Sequence, residues 1–82
     1  MTEIKLDIEL TAEEALYLMQ SCVWSAVRFV IWSQEEQGVI DAQVKKRVKF
    51  AQRMYETLTK IYPPLAVLVK SDWDKIKDIE TR

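Results

Sequence analysis

A single glycine, Gly38, and one proline pair, Pro63–Pro64, are the only strong helix breakers in 82 residues. Nothing interrupts a helix between Thr11 and Gln37, and nothing does between Ala42 and Tyr62. A chain with so little turn chemistry is confined to a few long helices. Local signals agree with these limits. The run "TAEE" at 11–14 has the form of a capping box, in which Thr11 takes an orphan N–H and Glu14 reaches back to the cap. Gly38 suits a helix C-terminus, Asp41 a new N-cap, and the "YPP" at 62–64 a stop.

Ahead of the first helix, "EIKLDIEL" alternates strictly. Ile4, Leu6, Ile8 and Leu10 fall on one side, and Glu3, Lys5, Asp7 and Glu9 on the other. Period two over eight residues predicts a half-buried N-terminal β-strand. In the second helix Val44, Val48, Ala51, Tyr55, Leu58 and Tyr62 follow a 4-3-4-3-4 spacing, a coiled-coil-like seam widened by Met54 and Ile61. The tail admits two forms. Leu65 to Val69 fits a buried strand, whereas Pro64 at a first-turn position would open a third helix with Leu65, Val69, Trp73 and Ile76 on one side. Ser71 and Asp74 also offer a cap for a shorter helix. The expected fold is therefore mainly α, one domain over residues 1–82: a short strand, two long antiparallel helices and a helical tail.

Such a small domain buries only roughly 60 % of the surface of its unfolded chain. Cys22 is the one cysteine and histidine is absent, so neither an internal disulfide nor an ordinary zinc site can staple it. With 49 % hydrophobic residues, the stabiliser that remains is association, and a homo-oligomer is expected. Absent histidine also excludes His-based catalysis, and one glycine excludes phosphate-cradling loops. The paired carboxylates Glu13–Glu14 and Glu35–Glu36 point about 100° apart on a helix and share no substrate. No enzyme, cofactor or metal is expected. The start "MTEIKLDIEL" lacks a signal-peptide pattern, and the longest uncharged run, Ala15 to Val27, falls short of a bilayer span. A cytoplasmic, non-membrane protein is the expectation.

On 100° steps Leu16, Met19, Val23, Ala26, Val27 and Val30 form one apolar arc of the first helix. The opposite side carries Tyr17, Trp24, Arg28 and Trp32, with Ser21 and Ser25 between them. A solvated face would hold Lys and Glu. Trp, Tyr and Arg are instead the residues enriched at binding hot spots, so these four are the candidate partner-binding face. A bland alternative is that the third helix folds back over them. Cys22 lies between the two faces and reads as a small buried hydrophobe.

Charge is lopsided: residues 1–41 carry eight acids and two bases, residues 42–82 ten bases and five acids. Lys45, Lys46, Arg47, Lys49 and Arg53, interleaved with Phe50, are a candidate anion-binding run for a nucleotide or nucleic acid. Their bland reading is a solvated face complementing the acidic half. Strand–helix–helix is also the order of a ribbon-helix-helix DNA reader, but the outward strand residues would be three carboxylates and one ammonium, which DNA repels.

The opening "IKLDIELTAEEALYLMQ", residues 4 to about 20, resembles that of many small phage-encoded accessory proteins. The resemblance implies action by binding: inhibiting a host or defence protein by occlusion, or sequestering a signalling nucleotide.

Overall fold

The computed structural model describes residues 2–81, and among them every regular element is helical. Helix α1 spans Ala12–Gln37, α2 Ala42–Ile61, α3 Leu65–Leu68 and α4 Lys70–Ile76. The capping box forms as its residues dictate. The Thr11 hydroxyl accepts from the Glu14 N–H at 3.1 Å, and Glu14 accepts the Thr11 N–H at 3.0 Å. Gly38 ends α1 at φ 73°, the left-handed region that glycine enters without a Cβ penalty, and its N–H returns to the Gln34 carbonyl. Asp41 then caps α2 through the Val44 N–H at 2.9 Å.

The connection is sealed from below by Ser33, which is fully buried. Its hydroxyl donates to the Val39 carbonyl at 2.6 Å and accepts the Asp41 N–H at 3.3 Å. Both polar sides of that buried group are thus satisfied. The turn brings α2 back antiparallel along α1, so that Arg47 meets Phe29 and Phe50 faces Ser25. Met19, Val23, Ala26, Val27 and Val30 of α1 pack with Val44, Val48 and Ala51 of α2 in one core, while Leu16, Tyr55 and Leu58 remain partly buried at its border. Tyr62, the last residue of the expected seam, is exposed beyond the end of α2.

The tail completes this core from a third side. Leu65, Val69 and Ile76 are buried, and Trp73 stacks on Tyr55 with centroids 3.8 Å apart and planes 6° from parallel. Gln52 holds the end of α4, donating to the carbonyls of Ile76 (2.9 Å) and Ile79 (3.3 Å). The tail is broken at Val69, whose ψ of 11° separates α3 from α4. Ser71 and Asp74 lie inside α4 and do not cap it. Asp74 pairs with Lys70 at 2.9 Å and with Lys77 at 3.4 Å.

The N-terminal strand is not there. Residues 2–10 carry no regular structure, and Ile4 and Leu6 are 81 % and 77 % exposed. The reason is pairing. A strand is held by a neighbour's backbone, and the segment that could have lain beside it, Leu65 to Val69, is helical from Leu65 to Leu68 and turns at Val69. Alternation sets which side chains would share a face but provides no ladder.

Candidate functional site

Three neighbours define what α1 leaves open. Arg47 and Phe50 bring α2 against one flank, beside Cys22, Ser25, Ala26 and Phe29. Asp72 of α4 approaches Gln20, Ser21 and Trp24 on the other flank. Both approaches stop at the flanks, at Ser21, Ser25 and Trp24, and among the described residues no element covers the side beyond them. The third helix therefore does not fold back over this face. Tyr17, Trp24, Arg28 and Trp32 all stay exposed, Trp24 at 55 % and Trp32 at 49 %.

Within the face Arg28 lies over the Trp24 indole, 5.2 Å from the ring centroid. The pair is one turn apart, the spacing at which a helix brings side chains into contact. Trp32 does not complete a sandwich. It lines an open groove of about 580 Å³ with Arg28, Phe29, Ile31 and Glu35. Tyr17 donates its hydroxyl to Glu13, and that carboxylate raises the Tyr17 pKa. At neutral pH the ring presents a neutral, half-exposed surface.

The four expected residues are thus brought to one face, but the face is wider than expected. Leu18, Phe29 and Ile31 are exposed on it too. A signal for Ile31 stands in the sequence: Tyr17, Trp24 and Ile31 are seven apart, which keeps them in line along a helix. Cys22 is partly buried, and desolvation raises its thiol pKa, which disfavours the nucleophilic thiolate.

The basic run is not one site. Lys46 and Arg47 line a groove with Gln43, Phe50, Ser21, Cys22, Ser25 and Ala26. Arg47 also lies over the Phe29 ring at 4.2 Å, so its cation is engaged in holding α2 to α1. Lys45 belongs to a different groove, beside Gly38, Val39, Ile40 and Glu80. Lys49 and Arg53 lie with Lys46 on the side of α2 opposite Val44, Val48 and Ala51. Among the described residues no cluster of His, Cys, Asp or Glu could hold a metal ion.

Helix α1 is long and apolar enough to cross a membrane by length and composition, with a third of its most apolar window buried in the fold. Its apolar character is divided between the core arc and the open face. Comparison with family models, with curated proteins and with solved structures returns no match.

Proposed function

We propose that this chain is a small, non-enzymatic, cytoplasmic protein-binding module that acts through the outward face of α1. The observation behind this reading is the uncovered set Tyr17, Trp24, Arg28 and Trp32 on the molecule's longest helix. Half-exposed indoles beside a guanidinium offer area and directed contacts at small entropic cost. A host or defence protein as the target is part of the proposal and rests on the phage-like opening at residues 4 to 20.

The test compares wild-type protein with Trp24→Ala/Trp32→Ala in capture from a bacterial lysate, at low and moderate salt. Wild type should retain specific proteins at both salts, and the variant should lose them with melting unchanged. Equal capture by both would overturn the reading. Flotation with neutral phosphatidylcholine vesicles is the second arm, and Trp-dependent vesicle binding would replace a protein partner with a membrane.

A sequestering reading has one observation behind it, the Lys46–Arg47–Phe50 groove that Ser21 and Ser25 also line. An anion held there should be released steeply as salt rises. An aromatic face should barely respond.

A further inference from the structure

The outward face of α1 is complementary to itself, and the structure points to its occupant: we propose that a second copy of this chain docks antiparallel on it, α1 against α1, about a two-fold axis. This rests on the reading of that face as a protein-binding surface and names its first partner.

The line opposite the core is Tyr17, Ser21, Trp24, Arg28, Ile31 and Glu35, spaced 4, 3, 4, 3, 4. That is the repeat by which one helix seats on another. In an antiparallel pair centred between Trp24 and Arg28, residue i meets the residue whose number completes a fixed sum with it. Small Ser21 then faces the branched Ile31 of the second copy, and Trp24 faces its Arg28, each contact occurring twice. The guanidinium that lies over one indole reaches a second across the axis, where exclusion of water strengthens the attraction. Glu35 falls at the ends beside Tyr17 of the second copy, where its carboxylate stays in water, as an interface rim requires.

Alternatives fit less well. A parallel pair sets Arg28 against Arg28 and Glu35 against Glu35. Sliding the antiparallel pair one heptad either way leaves four layers instead of six and puts Trp24 against Glu35 or against Ser21. The exposed side chains of this face offer on the order of 600 Å² per copy, near the ~800 Å² of a standard interface. Side chains of α2 and α4 reach the edges of this face, at Ser21, Ser25 and Trp24, and leave Tyr17, Ile31 and Trp32 exposed.

The experiment uses full chains carrying Cys22→Ala with either Ser21→Cys or Ile31→Cys, mixed in equal amounts, oxidised, and weighed by mass spectrometry. The expected product is the mixed crosslink, Ser21→Cys to Ile31→Cys, with little of either self-crosslinked species. Sedimentation of wild type at about 100 μM should show a dimer, and Trp24→Ala should weaken it at least about 30-fold with helicity kept. A monomer, a self-crosslink through Ser21→Cys, or a dimer indifferent to Trp24 would each overturn the proposal. If wild type is monomeric yet still captures lysate proteins through Trp24 and Trp32, only the second copy as occupant is wrong. If that capture fails as well, the protein-binding reading falls with it.

Discussion

The two long helices share one seam but differ on their far sides. Away from the core α2 shows Lys46, Lys49 and Arg53, the long charged side chains that keep a helix surface in water. The corresponding side of α1 shows Tyr17, Trp24, Ile31 and Trp32 around a single arginine. Both helices are capped by their own residues, and both bury a stripe of valines and alanines. Stability of the monomer therefore does not explain the aromatic side of α1. A helix that needed only to fold would carry the α2 pattern twice.

That contrast breaks most forcefully at the core. Met19→Ala removes a side chain with no exposure from the core that α1, α2 and the tail share. It should cost about 2–5 kcal/mol, the range for large-to-small core substitutions, and thermal melting will read it. Trp24→Ala, on the opposite side of the same helix, should leave melting of the dilute monomer within about 0.5 kcal/mol. Comparable loss from both substitutions would mean that the outward face belongs to the fold.

The next effect is on association. Arg28→Ala should weaken binding through this face by about 2 kcal/mol or more while the helix itself gains propensity. Arg28→Lys should recover little of that loss, because a compact ammonium lacks the planar surface that lies over Trp24. Sedimentation equilibrium on the three proteins decides it. Full recovery by lysine would reduce the contact to simple charge.

A smaller difference separates the basic residues from one another. Arg47→Ala removes a guanidinium that bridges the helices over Phe29 and should cost about 0.5–1 kcal/mol of stability. Lys49→Ala, on the far side of α2, should change melting by less than that. Equal effects would show that the Arg47–Phe29 contact contributes nothing.

These outcomes bear on how far the chain could be read in advance. Helix limits were legible because Thr11, Gly38, Asp41 and the Pro63–Pro64 pair each act on their own neighbours. The face of α1 was legible because its periodicity depends on one helix alone. The N-terminal strand was not, since alternation at Ile4 to Leu10 says nothing about whether another backbone is present to pair with. Ser33 escaped for a related reason: its partners, Val39 and Asp41, come within reach only once the turn at Gly38 has formed. The division of the basic run was not legible either: Lys46, Lys49 and Arg53 share the far side of α2, Lys45 lies near Glu80, and Arg47 faces an aromatic ring from α1.

The last effect concerns the start of α1, at the end away from the Gly38 turn. Glu14 is exposed, and the Thr11 N–H that it accepts lowers its pKa below the ordinary glutamate value. A carboxyl with a depressed folded pKa contributes stability that is present above its unfolded pKa and is lost as pH falls through the folded one. Melting of the wild type should therefore decline on acidification through and below the usual glutamate range. Part of that decline should be missing in Glu14→Gln, whose side chain can accept the same N–H without titrating. Thr11→Ala removes the hydroxyl that caps Glu14 and should cost about 1 kcal/mol at neutral pH. Neither change touches the outward face, so association should be preserved wherever the helix is folded. If Glu14→Gln instead kept the full acid dependence, the titration would have to come from other carboxylates, such as Asp74 between Lys70 and Lys77, whose pKa is lowered first by the Lys70 hydrogen bond. Asp74→Asn would then be the variant to flatten the acid limb, and the α1 cap would count as pH-silent.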